Sequence, residues 1–405
     1  MQQRYVRSKA CSSGIPVKVK ISLSGLYRNK ITVTAMLMKF SVENYRGFKN
    51  RVELDLSKIR NYTFHSEYIR DGIVNKCMVV GRNGCGKTNF GLAMFDIVSV
   101  LTDYQIDMKQ KDRFGFLNGD SDQPYATFRY VFKHGESEIE YEYRKTDPDN
   151  IIYERMSIDD TQIFMRDGNL TDYSGLKDYG AENLRMDIGD GPLSVLRYVA
   201  NNTNQSKDSP ITGIMGFVKG MLYVGSIQEG NGYIGLTRGS EEIQDYIVHN
   251  GLKEDFNRIL KDLAEMDVSL DVIGGDGVPE RLVLRTKNKA LDFDYSASSG
   301  TRMLMLHYYW MKHMGDVTFM YLDEFDAYYH FELAERILLL LSSDRDVQCL
   351  FTSHNTSLVT NRIFRPDCYM CLDSRGITSL PDLTDREIRE GHNLEKLLRG
   401  GEFDE

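Results

Sequence analysis

Residues 76–104 read KCMVVGRNGCGKTNFGLAMFDIVSVLTDY. A short apolar run is followed by Gly81-Arg82-Asn83-Gly84-Cys85-Gly86-Lys87-Thr88, which fits G-x-x-x-x-G-K-[ST] throughout, and then by apolar residues at helical spacing. Strand, glycine loop and helix in that order are the context that confirms a phosphate-binding loop. Gly81, Gly84 and Gly86 let the backbone curl, so that N–H groups point inward at phosphate oxygens. The helix N-terminus adds its positive dipole end. Lys87 supplies charge to the β- and γ-phosphates, and the Thr88 hydroxyl is a ligand for Mg²⁺. Cys85 sits where a helix dipole lowers a thiol pKa, although a small residue that merely fits the loop is the plainer reading.

Outward from this loop, MKFSVENY (38–45) and RVELDLS (51–57) alternate like strands. Residues 124–166 form strand-like runs broken by HGE and DPDN, the pattern of an antiparallel sheet. Residues 168–235 are polar and rich in Gly, Asn and Asp, with little periodicity, whereas 241–266 has the spacing of one helix. Two strands are expected in DVSLDVIG and RLVLRT. A helix over 299–314 leads to the strand VTFMYLDE, then a helix in ELAERILLLLSS, then the strand VQCLFTSH. Strands in DCYMCLD and ITSLPDL precede a charged tail. Strands alternating with helices on both sides predict an α/β fold whose core sheet is largely parallel.

A phosphate loop of this kind needs a second, acidic strand. Val317–Glu324 supplies apolar residues and then two carboxylates. Asp323 is placed to hold Mg²⁺ together with Thr88, and Glu324 to orient and polarise an attacking water. Upstream, Ala297-Ser298-Ser299-Gly300-Thr301 puts small hydroxyls and a glycine at a helix start, a second anion site or a simple N-cap. Downstream, His354 ends the strand Phe351-Thr352-Ser353-His354, within reach of a γ-phosphate. His330 has two readings, a subunit contact or a solvated loop residue.

The formal charge of −9 is uneven. Residues 1–35 hold seven basic residues and no acid, which leaves −16 for the rest and makes the body a poor default polyanion binder. The arm reads either as a flexible extension or as sequence ahead of a start at Met36 or Met38. No long apolar run predicts a membrane span. Six scattered cysteines suggest a reducing, cytoplasmic setting. Cys368-x-x-Cys371 lacks the second pair that a zinc site needs.

The order of phosphate loop, SSGT, apolar-Asp-Glu and strand-Ser-His resembles ABC-type ATPase heads, and within them the SMC/RecF/OLD-like branch. Asn44-Tyr45-Arg46-Gly47-Phe48 is similar to the opening of RecF- and OLD-like proteins. Ser379-Leu380, Arg386, Asn393–Lys396 and Gly400 are similar to the tail of abortive-infection-type ATPases. The resemblance implies a mixed core sheet flanked by helices, with an antiparallel β-subdomain and a helical insertion. By the same resemblance Arg46 contacts ATP and Asn83 shapes the loop. Ser298, Ser299 and Gly300 complete the site of a second copy, His354 is the switch histidine, and Ala327–His330 is the D-loop. Gln123 is a candidate for the family's glutamine loop.

The implied organisation is a basic extension (1–35) and one head (36–405). The head divides into a strand and phosphate-loop lobe (36–117), a β-subdomain (118–167) and an insertion (168–290) carrying the 241–266 helix. A lobe with the signature, acidic strand and histidine (291–385) and a charged tail (386–405) follow. About 210 residues separate Lys87 from Ser298 without long heptads, so no long coiled-coil arm is expected. Only 51 residues follow His354, so if the chain serves a Toprim nuclease of the OLD kind, that effector is expected on a separate chain.

The expected function is an ATP- and Mg²⁺-dependent ATPase that acts as a head-to-tail homodimer or larger oligomer. It would serve as sensor or scaffold in anti-phage defence, answering a phage protein and holding a separate Toprim effector, as ATPase subunits of systems such as PARIS do. The alternative is a RecF- or SMC-like repair ATPase that clamps duplex DNA.

Overall fold

Two seven-stranded sheets hold helices between them. The computed structural model describes residues 35–103, 115–225, 233–235, 242–275 and 278–403, and the basic arm lies outside them. The described chain enters on β1 (Ala35–Glu43) and β2 (Val52–Asp55) and makes the short pair β3 (Ile69–Arg70) and β4 (Ile73–Val74). It then reaches β5 (Lys76–Val80), α1 (Lys87–Met94) and α2 (Asp96–Leu101). A meander follows: β6 (Ala126–His134), β7 (Ser137–Asp147), β8 (Asn150–Ile158), β9 (Thr161–Asp167) and β10 (Leu170–Asp172). Next come α3 (Val195–Asn202), α4 (Pro210–Lys219), β11 (Met221–Val224), β12 (Tyr233–Gly235), α5 (Ile243–His249) and α6 (Lys253–Asp262). A small antiparallel sheet, β13 (Ser269–Gly275), β14 (Val278–Arg285) and β15 (Ala290–Asp292), precedes α7 (Phe293–Ser296) and α8 (Ser299–His313). The chain closes through β16 (Phe319–Leu322), α9 (Phe331–Leu341), β17 (Gln348–Ser353), β18 (Tyr369–Asp373), β19 (Gly376–Ser379) and α10 (Leu394–Arg399).

The first sheet has the order β10-β9-β8-β7-β6-β1-β2 and is antiparallel throughout. Its strands alternate buried and half-exposed residues, as a sheet with one covered face should. The second has the order β12-β11-β16-β17-β5-β18-β19. Its five inner strands are parallel, and β12 and β19 run antiparallel at the edges. KCMVV and FMYL are buried at every position, because both faces of a parallel core are covered. The expected α/β architecture with a largely parallel core is therefore present.

α1 is the joint between the sheets. Phe90 packs edge-on against Phe40 of the antiparallel sheet, with ring centroids 5.3 Å apart. The Tyr130 hydroxyl lies 3.2 Å from the carbonyls of Ala93 and Met94 at the other end of the helix. On the opposite side, a Cβ on Gly91 would fall 2.5 Å from the Tyr321 ring and 2.9 Å from that of Tyr223. Only glycine lets α1 sit this close to the parallel sheet. Gly91→Val is expected to cost about 1–3 kcal/mol through overpacking, read from the urea midpoint. Gln348 ties the sheets a second time: its amide accepts from Leu37 N and donates to the carbonyls of Leu37 and Val74.

Four local expectations need correction. β1 and β2 belong to the same sheet as 126–172, so the division at 117/118 falls within one sheet. The helix after the phosphate loop begins at Lys87 and is broken at Phe95. The polar stretch 168–235 contains α3, α4, β11 and β12. Helices this short give little periodicity, and α4 (PITGIMGFVK) is too apolar to show a polar face. The helix expected over 241–266 is two helices. Gly251 adopts φ 63°, and Leu252 N and Gly251 N donate to the carbonyls of Ile247 and Val248, the paired bonds of a Schellman end.

Candidate functional site

β5 ends in the middle of the parallel sheet, and the chain turns through Gly81–Gly86 into α1. Gly84 and Gly86 take φ 79° and 105°, left-handed values that side chains with a Cβ disfavour. A Cβ on Gly86 would also lie 2.9 Å from the Phe48 ring, and one on Gly81 would lie 2.5 Å from the Leu372 carbonyl. The loop is thus pinched between the 44–48 turn and the end of β18. Lys87 is buried, and its ammonium donates to the carbonyls of Gly81 (2.9 Å) and Arg82 (3.2 Å), inside the curl of the loop. Asn83 and Gly84 are exposed at the tip, and Cys85 is half-buried.

The acidic strand meets the loop directly. Thr88 Oγ1 donates to Asp323 Oδ2 at 2.6 Å, across 235 residues of sequence. The other carboxylate oxygen accepts from Thr352 Oγ1 at 2.7 Å, and Tyr223 Oη donates to Oδ2 at 3.0 Å. Three hydroxyls therefore fix the Asp323 carboxylate. Thr352 Oγ1 also accepts from Glu324 N at 2.8 Å, so one side chain on β17 holds both acidic residues. Glu324 has φ 47°, a strained value for a residue with a side chain, of the sort that persists where surrounding contacts impose it. His354 is exposed at the end of β17, directly after Ser353.

Arg46 also has a positive φ, 47°. Its Nη1 donates to Asn89 Oδ1 on α1 at 3.3 Å, its ring neighbour is Tyr45, and its Nε is buried without a partner. Asn44 braces this turn by donating to the carbonyls of Gln123 and Tyr125. Gln123 itself is exposed, with its amide on Glu43.

Ser298 caps α8 by accepting from Thr301 N at 3.1 Å, and Ser298 and Ser299 are exposed. A Cβ on Gly300 would lie 3.1 Å from the Tyr328 carbonyl, so the SSGT segment abuts its own 327–330 turn. Among the described residues no hydrogen bond joins 297–301 to 81–88. The fold brings together the phosphate loop, Asp323, Glu324 and the end of β17. The SSGT segment lies against the 327–330 turn, at whose end His330 is exposed and 3.8 Å from Glu332.

Sequence reading missed Thr352, Tyr223 and Asn89. Thr352 lay in view beside His354, but a threonine in an apolar strand carries no signal by itself. Tyr223 lay in the stretch without periodicity.

His307 of α8 links the SSGT helix to that turn through Tyr329, with Nδ1 and Oη 3.0 Å apart. Burial pushes its ring down to about 4 from 6.5. The unfolded ring takes its proton near pH 6.5 and the folded ring only near 4, so the unfolded state binds more protons between these values. About 3 kcal/mol of stability should be lost as the pH falls through that window. Urea midpoints across it should fall more steeply for wild type than for His307→Gln.

The family described as "AAA domain, putative AbiEii toxin, Type IV TA system" matches residues 270–360. No curated protein matches the chain. Among solved structures, an SMC head bound to the C-winged helix domain of ScpA is 13% identical, with TM-score 0.46, covering 90% of this chain and 99% of that one. The SMC head domain from Thermotoga maritima is 15% identical, with TM-score 0.39, covering 85% and 98%. An Smc head with an extended coiled coil, bound to a ScpA domain derived from Pyrococcus furiosus, is 11% identical, with TM-score 0.44, covering 90% and 98%. The order of the parallel sheet, the loop after β5 and the acidic end of β16 make an α/β fold with a P-loop set beside an acidic strand.

Proposed function

We propose that the chain binds and hydrolyses Mg·ATP as a regulatory ATPase, and that two copies close on nucleotide head to tail. The carrying observation is the 2.6 Å bond from Thr88 to Asp323, which joins the phosphate loop to the acidic strand. The loop N–H groups and Lys87 would hold the phosphates, with Arg46 beside α1 as a further nucleotide contact. The Thr88 hydroxyl and the Asp323 carboxylate are hard oxygen ligands, few in number, and suit Mg²⁺, which takes its other ligands from phosphate and water. Held by Thr88 and Asp323, Mg²⁺ would supply positive charge against that of the phosphates. Glu324, held through Thr352, would orient the attacking water, and His354 would meet the γ-phosphate.

The exposed SSGT segment supports a role in a second copy's site. Ser298→Arg should leave ATP binding by the monomer unchanged and abolish ATP-driven association in sedimentation velocity. Association at the wild-type level would remove Ser298 from the interface.

The match of residues 270–360 to an AbiEii-type family supports a place in anti-phage defence. In that role the chain acts as sensor or scaffold for a separate effector, such as a Toprim nuclease, and a phage protein is the trigger. The acidic net charge of −9 argues against a DNA clamp. Tight duplex DNA binding that weakens with salt by several phosphate contacts would reverse that preference. No helix among the described residues is long and apolar enough to cross a membrane.

A further inference from the structure

Two residues beyond Glu324 stands a carboxylate to which the mechanism above gives no part. Asp326 is 6% exposed. Its Oδ2 accepts from Ser353 Oγ at 2.9 Å, and Ser353 Oγ in turn accepts from Asn355 N at 2.9 Å. Ser353 and Asn355 are the two neighbours of His354. The Ser353 hydroxyl thus links Asp326 to the segment that carries the histidine. Its own backbone is fixed as well, since Ala327 N donates to the Glu324 carbonyl and Tyr329 N to that of Asp326.

The second carboxylate oxygen has no such bond. Asp326 Oδ1 is buried and without a hydrogen-bond partner among the described residues. An unpaired buried acceptor of this kind costs about 1–3 kcal/mol, more when charged, and such an atom usually has a partner in the working state. Burial raises the Asp326 pKa, while the Ser353 hydroxyl, its own backbone N–H, the nearby His354 and the Asn355 side chain act in the opposite direction. His354 is exposed at the strand end. A histidine that presents one N–H to a phosphate needs its other nitrogen held, and a carboxylate is the common holder.

We propose that Asp326 is the positioning residue of His354. In the nucleotide-bound protein Oδ1 accepts one ring N–H, which fixes the tautomer and aims the other ring nitrogen at the γ-phosphate. Asp326 thereby couples the turn that carries Glu324 to the end of β17, so that both groups reach the phosphate as one unit. This inference rests on the reading of the site as an ATPase.

Asp326→Asn tests it. The amide oxygen keeps the Ser353 bond, and the NH2 then faces the ring in place of the carboxylate oxygen. Turnover should fall about 10–100-fold, the usual loss for a partner that orients a working histidine, with KM for ATP nearly unchanged. In a His354→Ala background the same change should have no further effect. Ring ¹⁵N shifts of His354, recorded with Mg·ATP, should report one tautomer in wild type and a different or mixed tautomer in Asp326→Asn. Equal turnover, an undiminished loss in the His354→Ala background, or identical ring shifts would overturn the proposal. Wild-type protein that turns over no ATP would instead sink the ATPase reading, and the ring shifts would still decide this one.

Discussion

Glu324→Gln is expected to bind ATP as wild type does and to hydrolyse it about 10²–10⁴-fold more slowly, the range for loss of a positioned general base. The substitution leaves the three hydroxyls on Asp323 and the Lys87 contacts untouched. It also leaves the Glu324 N–H on Thr352, so the strained turn has the same anchor. Only the side-chain carboxylate is removed. Binding and turnover must therefore separate, and single-turnover kinetics with saturating ATP would show it as a slow chemical step. Hydrolysis at the wild-type rate would take Glu324 out of the site.

Lys87→Ala should act on the other quantity. A charge-assisted bond is about twice as strong as a neutral one, and Lys87 is the charged side chain at the centre of the loop. Its removal is expected to weaken ATP binding by about 100-fold or more, near 3 kcal/mol. In the described structure its ammonium sits on the carbonyls of Gly81 and Arg82, so the variant should also lose a little stability. Equilibrium titration with a fluorescent ATP analogue, beside a melting curve, separates the two effects. Unchanged affinity in a folded variant would contradict the placement of the phosphates.

The parallel core was legible wherever chemistry and burial coincide. KCMVV, FMYL and QCLFTS read as buried strands because they are buried at every position. The loop read as a phosphate cradle because its glycines have no substitute at φ 79° and 105°. What escaped depends on contacts distant in sequence. β11 is an inner strand of the parallel sheet, yet MLYV is short and follows an apolar helix, so nothing local marks it. The Gly251 break looked like a tolerated helix glycine, and only its left-handed φ separates the two cases. Of the site, Asp323 and Glu324 were visible as an acidic strand end. The hydroxyls that hold them come from residues 88, 223 and 352, and only the fold brings those together. The SSGT segment was visible too, but its setting against Tyr328 was not.

ATP held by this loop is expected to bring two copies of the chain together. Sedimentation velocity of Glu324→Gln with Mg·ATP, with Mg·ADP and without nucleotide tests it most directly. Association to a dimer or larger oligomer is expected with Mg·ATP alone, and is lost when Ser298→Arg or Lys87→Ala is added. A species of one size under all three conditions, in protein shown to bind ATP, would contradict it.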